Sequence, residues 1–203
     1  MNKSTDTSEK TSLQISLKPG FSLVFDKNEF PTTTSIKEVL VSEHFSELIE
    51  SFFQSSGLGV ALFDEKYDVV TSVGWQKICT HFHQKHPESF KSCIESQHYF
   101  RKNFKPDEIL SLKCNNGLWD IAYPIYAGET FFGYVGFGQF FVSDDVIDKE
   151  FFIQQSQKYN FDTEAYIGQL RNIPIFPIQK LESHISLFLN ILKLNIETAI
   201  VHK

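Results

Sequence analysis

A chain of 203 residues is long enough to bury a sizeable core, and its 21 phenylalanines supply bulky packing material with no hydrogen-bond demand. The net charge of −6, without any basic run, argues against a general nucleic-acid binder, which needs a cationic surface. No apolar run is long enough to span a bilayer, no signal-peptide pattern opens the chain, and three cysteines make no disulfide framework, so the expected location is the reducing cytoplasm.

Residues 1–12 are polar without apolar periodicity and read as a flexible tail. The alternation over Leu13–Leu17, the Pro19-Gly20 turn and the run Phe21–Phe25 predict a short peripheral hairpin. Pro31–Ser35 reads as a linker, and Ser35 with Glu38 has capping-box spacing. The expected division is therefore a flexible segment over 1–35 and one domain over 36–203.

Val41, Phe45, Leu48 and Phe52, with Ile49 and Phe53 beside them, share one face of a helix that Ser42 caps and Gly57 stops. Leu58–Phe63 and Asp68–Val73 read as strands around a turn at Asp64–Tyr67. A helical insertion follows over Gln76–Lys85 and then from Pro87 to about Phe104. Proline suits that first turn, where its missing N–H costs nothing. Strands return at 110–113, 118–126 and 130–142. Two helices are expected over 145–159 and 162–170, each opening on an Asp N-cap.

Pro174 and Pro177 precede a last helix over 179–200. There Leu181, Ile185, Phe188, Leu192, Ile196 and Ala199 form one apolar stripe, and Leu187, Ile191 and Leu194 a second. So wide an arc either docks on the sheet or pairs with another copy, and a homodimer through this helix is expected. The pattern is α+β: an antiparallel sheet of about five strands, a helical insertion after the second, and flanking N- and C-terminal helices. In 118–126, Trp119, Ile121, Tyr123 and Ile125 share one face; Leu118, Asp120, Ala122 and Pro124 share the other. Both faces are largely apolar, so helices should cover both, the insertion on one side and the terminal helices on the other.

Several motifs occur in a telling order. They are Phe53-Gln-Ser-Ser-Gly57-Leu58 at the helix-to-strand turn, Cys79 followed by Phe82-His83, His86-Pro87-Glu88, and Cys93 with Ser96. Further on come Lys113-Cys114-Asn-Asn-Gly117-Leu-Trp119-Asp120, Pro124-Ile125 and Gly133…Gly138-Gln139-Phe140. Their order resembles the PocR-type ligand-binding domain, a PAS-like sensor module found at the front of bacterial and archaeal transcription regulators and histidine kinases of two-component systems. The resemblance covers roughly residues 36–200. It implies a non-enzymatic sensor of small hydrocarbon derivatives such as short diols. One departure stands out: many relatives carry a further cysteine three positions before the match to Cys93, and here that position is Phe90. The change weakens a metal or redox reading carried over from them.

The candidate ligand contacts are Trp75, Phe82, His83, Cys93, Cys114, Trp119, Asp120 and Gln139. Each has a plainer reading. Trp75 and Phe82 are either pocket walls or staples holding the insertion, and Trp119 is core. Asp120 either anchors ligand hydroxyls or pins the Cys114–Gly117 turn. Because neighbouring strand residues face opposite ways, Trp119 and Asp120 should not share a cavity unless a bulge intervenes. Gly133, Gly136 and Gly138 mark either a ligand's approach or tight helix-on-sheet packing. A buried Gln139 needs partners.

Cys79, His83, Cys93 and Cys114 offer an alternative shell for zinc or another transition metal, although their spacing matches no standard motif. The cysteines are otherwise small buried hydrophobes, or a redox sensor if one is an exposed thiolate. No G-x-S-x-G, P-loop or H-E-x-x-H motif points to catalysis. No kinase or DNA-binding signature lies in the chain, so the output belongs to a further domain or to a partner kinase or regulator.

Overall fold

The computed structural model describes residues 12–28 and 43–201. Its first strand, β1 (Val24–Phe25), runs parallel to the end of a later strand instead of closing a hairpin. Residues 13–17 form no strand; Leu13 instead bonds through both backbone groups to Ser111 Oγ, at 2.7 and 2.9 Å. Leu23 is buried and its carbonyl accepts from the Tyr126 N–H. The predicted hairpin is thus replaced by a docked segment, because pairing with a core strand satisfies its backbone groups while burying Leu23 and Phe25. Residues 1–11 of the expected 1–12 tail, the linker at 31–35, the Ser35–Glu38 capping box, Val41 and the Ser42 cap lie outside the described residues.

Helix α1 (Glu43–Ser56) buries Phe45, Ile49 and Phe52, the face the sequence spells out. Gly57, at φ +70°, donates to the Phe53 carbonyl and turns the chain into β2 (Gly59–Asp64), a conformation that glycine adopts freely. Strand β3 (Val69–Val73) follows. The insertion is one turn of π-helix, Ile78–His83, and then α2 (Pro87–Asn103), which has Pro87 in its first turn. Strands β4 (Leu110–Lys113), β5 (Trp119–Ala127) and β6 (Thr130–Val142) match the expected runs within a residue.

Helices α3 (Lys149–Lys158) and α4 (Thr163–Gly168) open on Asp148 and Asp162, whose carboxylates accept from Phe151 N and Ala165 N. Asp162 is the cap that the sequence predicts, but Asp145 is not. Asp145 instead accepts from Trp119 Nε1 at 2.6 Å and pairs with Lys113 at 3.0 Å, so the helix starts three residues later. Strand β7 (Ile175–Phe176) and the long helix α5 (Ile178–Val201) complete the chain.

The five long strands lie in the order β3–β2–β6–β5–β4, every neighbouring pair antiparallel. Two short parallel strands, β1 and β7, extend β5 and β6. The architecture is the expected α+β, PAS-like one. One face carries Val60, Leu62, Trp119, Ile121, Tyr123, Val135 and Phe137 against α1 and α5 in a single cluster. The opposite face carries Ala61, Phe63, Ala122 and Tyr134, with Phe100 of α2 packed on them.

A cavity between the inserted helices and the sheet

The second face holds a cavity of about 120 Å3. It arises from side-chain size. Among the residues that the three central strands turn toward α2, Ala61, Ala122, Gly136 and Gly138 lie between the larger Phe63 and Tyr134 and the mouth, and they are too small to fill the layer. The volume is well above the ~10–15 Å3 that one water needs and well below the ~300–1,000 Å3 of drug-sized sites, so it suits a molecule of a few heavy atoms. Trp75 and Gln84 are half-buried and Gln97 is exposed, which places the mouth between the π-turn and α2.

The three glycines divide between the two readings. A Cβ on Gly133 would lie 2.1 Å from the Phe63 carbonyl oxygen, so that glycine serves strand packing. A Cβ on Gly138 would lie 2.2 Å from Asp120 Oδ1, so this glycine makes room for the carboxyl group in the cavity. Gly136 lines the cavity as well.

A bulge shapes the rest. Trp119 pairs with Phe140 and Asp120 with Gly138, which leaves Gln139 over as the extra residue, at φ +69°. A non-glycine residue there stores of order 1–3 kcal/mol of strain, and bulges recur beside sites because they re-aim a side chain. Gln139 turns its Oε1 to the Gln76 N–H at 2.5 Å, which ties the sheet to the start of the insertion. Its own N–H donates to the Asp120 carboxylate.

Six of the eight predicted contacts line this cavity: Trp75, His83, Cys93, Cys114, Asp120 and Gln139. Two do not. Trp119 points to the other face, where it is fully buried against the α1–α5 side with its Nε1 on Asp145. Strand alternation forbids it the cavity once Asp120 is inside, and the bulge lies on β6 and leaves the faces of β5 unchanged. Phe82 packs edge-on against Phe161 and Tyr166, a staple between the π-turn and α4.

Asp120 does not pin the turn before it. The Cys114–Gly117 turn is held by α2 instead: Asn115 N–H donates to Ser96 Oγ, and Asn116 Nδ2 donates to the Ser89 carbonyl and to Cys93 Sγ. Burial pushes the Asp120 carboxyl up to about 7, with the Gln139 N–H pulling the other way, and among the described residues no cation pairs with it.

His83 is fully buried, and that burial lowers its imidazole to about 4, so the ring is neutral. Its Nε2 lies 2.7 Å from the Tyr166 hydroxyl, the Tyr166 hydroxyl donates to Gln155 Oε1, and Gln155 Nε2 donates to Asn116 Oδ1 at 2.9 Å. This chain runs from the cavity wall into α3 and α4. Sequence reading missed Asn116, Gln155 and Tyr166, which are brought together only by the fold. The one available signal was Gln155, a glutamine beside Phe152 on the buried side of α3.

The metal and redox alternatives fare differently from the pocket. Cys79, His83, Cys93 and Cys114 all border the cavity, yet among the described residues no group of three His, Cys, Asp or Glu side chains is placed to hold a metal ion. His83 Nε2 is committed to Tyr166, and Cys93 Sγ accepts from Asn116. Burial raises all three thiols, Cys114 to about 12, so they stand protonated near neutrality, unlike a reactive thiolate. Phe90, at the position where relatives place a further cysteine, is 42% exposed on α2 and does not border the cavity.

A family model described as the sensory domain found in PocR matches residues 38–200. The chain belongs to this family of sensory domains. No curated protein and no solved structure matches it. No helix among the described residues is long and apolar enough to cross a membrane.

Proposed function

We propose that this sensory domain binds a small, weakly polar metabolite, such as a short diol or another small hydrocarbon derivative, in the cavity beneath α2. In this reading the domain is not an enzyme, works in the cytoplasm, and passes the signal to a histidine kinase or transcription regulator. The observation that carries the reading is the cavity itself. It is small and largely apolar, with a few convergent polar groups and no cation among its lining residues, a character that suits a neutral ligand.

The relay would run through the sheet. Phe137 of β6 sits between Gly136 and Gly138 of the cavity wall and meets Phe188 of α5 edge-on at 5.5 Å on the other side. A shift of β6 on binding is therefore felt directly by α5. A ligand moves such an equilibrium only by its difference in affinity between the two states. The outer side of α5 supports a homodimer. Leu187 and Leu194 are exposed, Ile191 is half-buried, and with His184 and Thr198 they repeat at the three-and-four spacing of a coiled-coil seam. Isoleucine between two leucines in that repeat favours two parallel strands.

A thermal-shift screen of short diols, alcohols and small acids tests the sensing claim. A true ligand at about 100 times its dissociation constant adds roughly 2.7 kcal/mol of stability. If no compound in a broad screen raises the melting temperature, the sensing reading fails.

A further inference from the structure

The polar chain behind the cavity has a direction, and a single backbone group sets it. Asn116 places one amide atom 3.1 Å from the Ser89 carbonyl oxygen. A carbonyl only accepts, so that atom is the NH2 nitrogen, and Oδ1 faces the other way. Oδ1 then accepts from Gln155 Nε2, which orients the Gln155 amide and leaves its Oε1 to accept from Tyr166. The Tyr166 hydroxyl has one proton, and it is given to Gln155. Its oxygen therefore accepts from His83, which fixes the imidazole proton on Nε2. A neutral imidazole has only one N–H, so Nδ1 carries a lone pair. That atom is buried and no protein donor reaches it. A buried acceptor left without a partner costs about 1–3 kcal/mol.

We propose that the ligand donates a hydrogen bond from an O–H or N–H group to His83 Nδ1. Asn116, Gln155 and Tyr166 are then positioning residues that make the cavity select donors over isosteric acceptors. The proposal rests on the sensing reading and adds to it the rule by which the site chooses. The charged groups of the lining bear on the same choice. No lysine or arginine lines the cavity to offer a donor to a ketone or a carboxylate, and Asp120 is a second acceptor once ionised, above about 7. Below that its carboxyl O–H is itself a donor, so alcohol and ketone are compared at about pH 8. A site built around an unpaired acceptor rejects a ligand without the matching donor, because the acceptor then stays buried and unsatisfied.

Two measurements decide it. In ligand-free protein with 15N-labelled histidine, the ring-nitrogen shifts of His83 place the proton on Nε2; a proton on Nδ1 overturns the proposal whatever the ligand. In a thermal-shift titration, butan-2-ol and butanone share a carbon skeleton and differ in donor and acceptor character. The alcohol is expected to bind at least about tenfold tighter. In Tyr166→Phe, or in Gln155→Met should the first variant not fold, the imidazole is free to change tautomer and the ratio falls toward one. Equal binding of alcohol and ketone to the wild type overturns the donor rule while sensing stands. If no small molecule in the wider screen stabilises the protein, sensing falls and this proposal falls with it.

Discussion

The two faces of one sheet are built from alternate residues of the same strands, yet they end in opposite states. Toward α1 and α5, β6 presents Val135 and Phe137 and β5 presents Trp119 and Ile121, and the layer is packed through. Toward α2, the intervening residues are Gly136, Gly138, Asp120 and Ala122, and a cavity remains. The difference shows how a half-buried strand can serve two purposes at once. Bulk on the odd-numbered side secures the fold, and its absence on the even-numbered side leaves a site. The two faces should therefore respond differently to substitution.

On the packed face, Phe188→Ala removes a fully buried ring that meets both Phe52 and Phe137. It should cost about 3–5 kcal/mol in urea denaturation. On the cavity face, Gly138→Val drives a side chain into the Asp120 carboxyl. The expected cost is smaller, about 1–3 kcal/mol, and ligand stabilisation should disappear. If the valine variant keeps a full ligand response, the cavity is not the site.

A third test uses pH. Asp120 in the folded chain keeps its proton up to about 7, against 3.8 for an ordinary carboxyl. Between those values Asp120 binds more protons in the native state than in the unfolded one, so its own contribution falls as pH rises, by up to about 1.4 kcal/mol per unit, and levels off above about 7. His83, lowered from 6.5 to about 4, contributes a slope of opposite sign between those two values. The difference in stability between wild type and Asp120→Asn isolates the Asp120 contribution. In paired denaturation curves from about pH 4 to 8, wild type should lose stability relative to the variant as pH rises to about 7 and run parallel to it above. The smallest effect is expected at Leu187→Glu. It should change the stability of a single protomer by less than about 0.5 kcal/mol while shifting sedimentation from dimer to monomer.

Much of this contrast can be read in the sequence. Alternation alone puts Trp119 and Asp120 on opposite faces, and Pro87 and Gly57 mark a helix start and stop where the structure has them. Of the two α5 stripes, Leu181, Ile185, Phe188, Leu192 and Ile196 are buried, while Leu187 and Leu194 are exposed and Ile191 is half-buried. What could not be read depends on local backbone irregularity or on distance along the chain. The bulge at Gln139 sits on a residue that rarely adopts positive φ, so no glycine announces it. Without it, Gln139 would stay in regular strand alternation instead of turning its side chain to Gln76. The His83–Tyr166 contact joins residues 83 positions apart, and no periodicity predicts such a pair. The choice between wall and staple for Phe82 is hidden for the same reason, since its partners Phe161 and Tyr166 lie beyond all five long strands in sequence.

The chain has two tryptophans, and the fold puts one on each face: Trp75 beside the cavity and Trp119 in the packed layer. Their indole N–H signals in a 1H–15N spectrum report the two faces separately. On titration with the best stabilising ligand from the screen, the Trp75 signal is predicted to move to saturation while Trp119, held on Asp145, stays in place. Movement of Trp119 with Trp75 unmoved, or no movement of either at saturating ligand, would contradict a binding site beneath α2.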